Sequence, residues 1–322
     1  MSLRFKSRHR SLGRLFALSA LFPALGLVSV GTTFGATQAG AIVSPWPTQH
    51  FTLTATPGNI AVQAAVIDNY ATDGQPGALV FATPNYDVGG ICGCQDSTPT
   101  NTPIGVAFIP GTPGHWAVFH EDNTAMNANE QYNVLVVPQA MPNVFRKATS
   151  AATDSGDSSY FSSPLTNNNP NAKILISQVY NTKNTLGPGF YNNHNVGVWY
   201  DASVKEWAIY EEDGSTMPAG LHFNILIGSA NTNGGKFIVQ RSAASNLDGD
   251  ATHIISAMTD NDPNAFGLAT HMYNPGTNPP RFSNFQAAMW YDTSNNLLAV
   301  YNWNEASMSK AESFAVLLFP GG

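Results

Sequence analysis

The amino-acid sequence predicts an all-β protein made of three tandem units of about 91 residues. Two observations support this prediction. The chain repeats itself at a constant spacing, and its apolar residues fall in short runs bounded by turn-forming residues, without the 3.6-residue period of a helix. A segment of different composition precedes the repeats and is typical of an exported protein.

The internal repeat is visible in several registers that keep one order. One register consists of the segments Trp116–Phe119, Trp207–Tyr210 and Leu298–Tyr301, which follow one another at steps of 91 residues. A second register, with the same steps, consists of Tyr132–Val136, Phe223–Ile227 and Phe314–Leu318. Because the order and the spacing both persist, we place three structural units at residues 48–138, 142–229 and 237–322.

Within a unit, the pattern is that of short antiparallel strands. In the second unit, Gly197–Tyr200 and Trp207–Tyr210 are separated by Asp201–Lys205, which is the spacing of a hairpin. We expect five or six strands in each unit, and the unit then resembles a small β-sandwich or barrel. The alternative is that the three units share one pseudo-threefold β core.

Residues 1–41 have the order of a secretory signal peptide. A basic start without acidic residues leads into an apolar run of 16 residues, Leu15–Val30, and then to a cleavage motif at Ala39-Gly40-Ala41. The run is shorter than the roughly 20 residues that a membrane-spanning helix needs. The sequence therefore predicts a secreted or cell-surface protein with no membrane span in the mature chain.

Charge and cysteine content limit the partners that this protein can have. Removing residues 1–41 leaves 9 basic against 21 acidic residues, a net charge of −12, which excludes the basic stripe that nucleic acid requires. Only 11% of the residues are charged, so Asn, Thr, Ser and Gly supply the polarity. Cys92 and Cys94 form either a small local disulfide ring or two free thiols; a Cys-x-Cys pair alone is a weak metal signal.

The second unit carries a resemblance to a known family. Its segments are similar to those of an uncharacterised family of bacterial secreted proteins in which this unit occurs singly or in tandem. The matching segments are Pro164–Asn167, Asn169–Ala172, Tyr191–His194, Gly197–Tyr200 and Phe223–Leu226. The third unit matches the family in part, and the first only weakly. The resemblance implies export and a modular chain, and it implies no activity.

Familiar catalytic motifs are absent from the sequence. It contains no Gly-x-Ser-x-Gly, no His-Glu-x-x-His, no phosphate-binding glycine loop and no dinucleotide fingerprint. Two loops rich in aspartate, Asp248-Gly249-Asp250 and Asp260-Asn261-Asp262, bring several oxygen donors together, as a Ca²⁺ site requires. We therefore take Asp248, Asp250, Asp260 and Asp262 as candidate metal ligands, with ordinary Asp/Asn/Gly turns as the alternative. No other cofactor is expected.

One aromatic residue stands out as a candidate for binding. Trp303 occupies the position that holds Glu121 and Glu212 in the other two units. If those carboxylates face water, Trp303 is an exposed platform on which a sugar ring can stack. The alternative is a side chain that folds onto its own unit.

Composition and repetition together favour a non-enzymatic exported protein for binding or surface assembly. Repeated weak sites gain avidity, and a glycan or another cell-surface polymer is the expected partner. Two alternatives stay open: an extracellular hydrolase whose site has no recognisable motif, and a purely structural protein of the cell envelope.

Overall fold

The computed structural model describes residues 49–86, 100, 102–181, 189–228, 234–276 and 278–321. In these residues the regular structure consists of 21 β-strands and no helix, which confirms the all-β prediction. It follows that no described segment is a long apolar helix of the kind that crosses a membrane. The segment predicted to be a signal peptide, together with Cys92 and Cys94, lies outside the described residues.

Each repeat contributes seven strands in the same order. Repeat 1 contains β1–β7, at Gln49–Thr54, Ile60–Ala61, Ala64–Val66, Leu79–Tyr86, Ile104–Ile109, His115–His120 and Gln131–Val137. Repeat 2 contains β8–β14, at Val144–Ala148, Asp154–Ser155, Ser158–Phe161, Ile174–Asn181, Val196–Asp201, Glu206–Glu211 and His222–Ile227. Repeat 3 contains β15–β21, at Lys236–Arg241, Leu247–Asp248, Ala251–His253, Phe266–His271, Ala287–Asp292, Leu297–Asn302 and Ser313–Phe319. The expected five or six strands become seven because the second strand of each repeat has only two residues, too few to leave a pattern.

The predicted hairpin in repeat 2 is confirmed. Strands β12 and β13 pair antiparallel from Val196 with Glu211 to Asp201 with Glu206. Asp201 holds the turn, because its Oδ1 atom accepts hydrogen bonds from the main chain and the hydroxyl of Ser203 at 2.8 and 2.6 Å. Lys205 closes the turn in the left-handed region, with φ of 61°.

Strand pairing joins the repeats into a ring. The first, seventh and fourth strands of a repeat form one antiparallel group, and the second, third, sixth and fifth form another. The fourth strand then pairs in parallel with the fifth strand of the preceding repeat, as β11 does with β5 and β4 with β19. Between β18 and β12 the same connection is a single bridge from Met272 to Val198. This is the pseudo-threefold assembly, so the units are not separate sandwiches.

A cyclic set of hydrogen bonds near the centre follows the same symmetry. The fourth strand of each repeat donates a main-chain N–H to a hydroxyl group on the fourth strand of the next repeat. The three bonds run from Ala82 to Ser177 at 3.1 Å, from Ile176 to Thr270 at 3.1 Å, and from Ala269 to Thr83 at 3.2 Å. Each bond joins a main-chain amide of one repeat to a side chain of the next, so the centre depends on all three copies.

Packing has the same organisation, with one core in each repeat and a shared core between them. Trp116, Trp207 and Leu298, which share a register in the sequence, are buried in the cores of repeats 1, 2 and 3. The two indole N–H groups donate to the carbonyls of Gln75 and Asn169, each at 2.9 Å. The shared core takes residues from all three repeats, among them Leu79, Phe81, Leu175, Leu226, Leu268, Leu317 and Phe319.

Candidate functional site

The repeats contact one another at three equivalent junctions, which we number by the repeats that they join. At each junction the residue that directly follows the sixth strand of one repeat contacts a residue before the fifth strand of the next repeat. The contacts are Asn192 N–H to Glu121 at 2.9 Å (junction 1–2), Ser283 N–H to Glu212 at 3.1 Å (junction 2–3), and Trp303 Nε1–H to Thr100 Oγ1 at 2.7 Å (junction 3–1). The ring thereby closes through side chains as well as through strands.

The expectation that Trp303 is an exposed platform is wrong. Its side chain is fully buried, with an exposure of 0%, and it packs on Tyr301 with ring centroids 5.8 Å apart. Glu121 and Glu212 are buried as well, so the carboxylates that Trp303 replaces do not face water either. In an isolated unit this position is a hairpin end, but in the ring the loop of the next repeat covers it.

Junction 1–2 holds two carboxyl groups that share one asparagine. The Asn192 side-chain amide donates to both oxygens of Glu211, at 3.1 and 3.3 Å, while its main-chain N–H binds Glu121. Burial raises the pKa of Glu121 to about 8, an effect that the Asn192 N–H reduces and the nearby Glu211 increases. Burial likewise raises the pKa of Glu211 to about 8, with Asp213, Asp157 and Glu212 adding to it. Both groups are therefore largely protonated at neutral pH.

Two glycines make room for the junction carboxyls. A Cβ atom at Gly105 would lie 2.2 Å from Oε1 of Glu121, and one at Gly197 would lie 2.2 Å from Oε1 of Glu212. The repeated Gly-Val segment is thus explained by the side chain that folds across it. In repeat 3 the equivalent residue is Ala288, which packs in one cluster with Trp303.

Junction 2–3 gives its carboxylate a basic partner. His271 Nδ1 and the Tyr210 hydroxyl both contact Glu212, the hydroxyl at 2.6 Å, and all three side chains are buried. The equivalent of His271 at junction 1–2 is Gln178, which accepts a hydrogen bond from Asn192 at 2.8 Å. In the described part of the chain His271 Nε2 has no hydrogen-bond partner, and the residue lines a cavity of about 30 Å³.

Aromatic side chains cover the outer side of two junctions in the same arrangement. The first aromatic patch consists of Phe119, Tyr180 and Tyr191, and the second consists of Tyr210, Tyr273 and Phe282. In each patch the outer two rings lie 4.6 Å apart, at 43° and 44°. Phe282 is 57% exposed, while Tyr180, Tyr191 and Tyr273 are half-buried. At junction 3–1, Tyr301 and Tyr86 take the corresponding positions, with centroids 5.8 Å apart.

The four aspartates proposed as metal ligands do not form one site in the described structure. Asp260 caps a turn by accepting the Ser256 N–H at 2.8 Å, and Asp262 accepts the N–H of Asn264 at 3.1 Å and of Gly321 at 2.7 Å. The role of Asp260 is that of Asn167 in repeat 2, which accepts the Ser163 N–H at 3.1 Å. Asp250 is partly buried, and burial raises its pKa. Asp260 and Asp262 thus accept main-chain hydrogen bonds in turns and do not join the other two aspartates in a shared cage of oxygen donors.

Asp248 instead lies beside His253 and Asp292, two residues that the sequence pattern did not bring together. Their ligand atoms lie within 4.8 Å of one another, and His253 Nε2 is 2.8 Å from Asp292 Oδ2. In repeat 2 the equivalent contact is the bond of 2.8 Å from the Tyr160 hydroxyl to Asp201. Because a tyrosine serves equally well there, the contact ties together the two strands that flank the sixth strand of the repeat. A second such group, Asp68, Asp73 and His115, lies in repeat 1.

Comparison with known proteins identifies the repeat. A family model described as Domain of unknown function (DUF7452) matches three segments, residues 39–136, 105–227 and 199–318. The segments end 91 residues apart, which is the spacing of the sequence registers and confirms the tandem units. The second segment contains β11 and all of β5 except its first residue, and these strands pair between repeats 1 and 2. No curated protein and no solved structure matches the chain.

Proposed function

We propose, from the premise that this chain belongs to the family described as Domain of unknown function (DUF7452), that it is an exported, non-enzymatic protein that binds glycans. The binding surfaces in this proposal are the aromatic patches at the repeat junctions. The supporting observation is that two junctions present the same three-ring arrangement, with the outer rings 4.6 Å apart in both. Rings that are partly open to water offer apolar faces on which a sugar can stack.

Polar groups beside the first patch suit the hydroxyl groups of a sugar. His194 Nδ1 and Asp213 Oδ2 lie 2.7 Å apart, and both side chains are about one-third exposed. Gln63 donates to the Tyr191 hydroxyl at 3.0 Å, which orients that ring. A small number of placed polar groups around an apolar surface is the usual composition of a small-ligand site.

Repetition adds to the strength of such sites. A polymer that reaches two patches on one ring binds the second patch as an intramolecular step, so weak individual contacts combine into useful avidity. The basic, apolar and small-residue order of residues 1–41 supports delivery of the chain to the cell surface or medium, where such polymers occur.

Binding is favoured over hydrolysis because of where the acidic groups lie. The pKa of about 8 for Glu121 suits a general acid. However, Glu121 and Glu211 are enclosed by protein, with exposures of 1% and 0%, so a substrate bond has no route to them. In this arrangement Glu121 joins repeat 1 to Asn192 of repeat 2, and Glu211 holds the side chain of that asparagine.

A glycan array tests the proposal. The mature chain is compared with Phe282→Ala, and with Ile255→Ala as a matched control, since Ile255 is 78% exposed and lies outside both patches. We expect wild type to bind, Phe282→Ala to lose about tenfold in affinity or more, and both variants to melt like wild type. Binding by Phe282→Ala at wild-type strength, or no binding of any glycan by wild type, would overturn the proposal.

A further inference from the structure

Unpaired positive charge gathers at one loop of this acidic protein. The loop comprises the described residues 273–276 and 278–282, and its two ends carry two rings of the second aromatic patch, Tyr273 and Phe282. Lys173, Arg241 and Arg281 lie against this loop or within it. None of these three cations forms an ion pair with a carboxylate of the described residues.

A groove of about 310 Å³ lies between repeats 2 and 3 on the same loop. It is lined by Asn171, Lys173, Val239, Pro275, Gly276 and Asn278. Its volume is at the lower end of the roughly 300–1,000 Å³ that small-ligand sites occupy. The lining combines an ammonium group and two amides with the apolar surfaces of Val239 and Pro275, which matches the mixed surface of a sugar ring.

The walls of the groove are fixed by contacts between the repeats. The Gly276 N–H donates to the carbonyl of Pro170 at 2.8 Å, which docks the loop of repeat 3 on a turn of repeat 2. Gly276 has φ of 61°, and a Cβ atom there would lie 2.6 Å from Oδ1 of Asn171. A side chain at position 276 would therefore be strained and would collide with the turn.

Arg241 orients the side-chain amide of Asn278, which also lines the groove. Arg241 Nη1 donates to Oδ1 of Asn278 at 2.8 Å, which leaves the Asn278 NH₂ group as a donor. Lys173 and Asn278 thus offer donors to the groove, and the positive charge of Arg241 lies behind them. Donors backed by cations select a negatively charged acceptor, and a carboxylate bound in this way gains charge-assisted hydrogen bonds.

We infer that this groove binds the carboxylate of an acidic glycan, whose neighbouring sugar stacks on the second aromatic patch. The inference rests on the proposed function and names its ligand class. Lys173, Arg241 and Arg281 all lie at the loop of junction 2–3, so the acidic sugar is bound there, while the first patch takes neutral sugar surfaces. The site lies in a chain whose remaining charge repels polyanions, so recognition depends on the local arrangement and not on net charge.

Two matched probes test this inference on the full mature chain. The probes are an oligogalacturonate and the same oligosaccharide with its carboxyl groups methyl-esterified, titrated by calorimetry. We expect the acid to bind about tenfold more tightly than the ester, and this preference to weaken as salt is raised. Lys173→Gln should remove the preference and leave binding of the ester unchanged. Lys205→Gln, an exposed lysine on the β12–β13 turn, is the control and should keep the preference.

The outcomes separate this inference from the proposed function. Equal affinity of wild type for acid and ester, with loss of both in Phe282→Ala, would overturn the carboxylate site and support glycan binding. An acid preference that survives in Lys173→Gln would also overturn the site. Binding of neither probe, together with a blank glycan array, would overturn both proposals.

Discussion

Raising the pH should loosen junction 1–2. Glu121 and Glu211 each have a pKa raised from 4.5 to about 8 by burial, so between these values the folded chain holds protons that the unfolded chain has released. Stability therefore falls as the pH rises through this window. One pKa unit corresponds to about 1.36 kcal/mol. Across the whole window, one such carboxyl therefore lowers the free energy of unfolding by at most on the order of 5 kcal/mol. The titratable groups facing the pair are Glu212, Asp157, Asp213 and Tyr180.

Thermal melts of the mature chain at pH 5 and pH 8 measure this effect. For a chain of this size we expect the melting temperature to fall by about 10 °C across the window. Glu121→Gln and Glu211→Gln keep a hydrogen-bond acceptor for Asn192 and carry no charge, so each should flatten the pH dependence. Glu305→Gln, an exposed position, should leave it unchanged. If both junction variants kept the wild-type dependence, the carboxyl pair would not be the source, and the assignment of neutral acids at this junction would be refuted.

Two further predictions concern the ring. A fragment of residues 142–229 should show no cooperative melt by circular dichroism, because β11 loses its partner strand β5 and the Ile176 N–H loses its acceptor Thr270. A β-rich spectrum with a cooperative melt would show that a repeat folds alone. Trp303→Ala should cost about 3–5 kcal/mol in urea unfolding, as should Trp207→Ala, because both indoles are fully buried. A cost under about 1 kcal/mol for Trp303→Ala would contradict the burial of this residue.

The repeat register predicts what is common to the three copies. It places Trp116, Trp207 and Leu298 at one position that needs bulk, and all three lie in the cores of their repeats. The hairpin of repeat 2 follows from local spacing in the same way. Both predictions succeed because hairpins and the core of a single repeat depend on residues close in the sequence.

The repeat register does not predict which contacts form between the copies. It shows that Glu121, Glu212 and Trp303 are equivalent, but equivalence does not state which surface of another repeat covers them. Their burial depends on Asn192, Ser283 and Thr100, which lie 71, 71 and 203 residues away. A usable signal was present in Gly105 and Gly197, since a repeated glycine inside a strand marks a close approach by another group.

The pattern of change between the repeats shows which parts of the three copies are kept and which differ. The central hydrogen bonds keep a hydroxyl in every copy, as Thr83, Ser177 and Thr270, because replacing one would remove the acceptor for a main-chain N–H of another repeat. The junctions differ instead, with an acid pair at the first, an acid and a histidine at the second, and an indole at the third. A junction tolerates such changes because each residue needs to match only one facing loop. Three copies that must close one ring can therefore acquire different outer surfaces. A groove for an acidic sugar at only one of the three junctions, as proposed for junction 2–3, is consistent with such divergence.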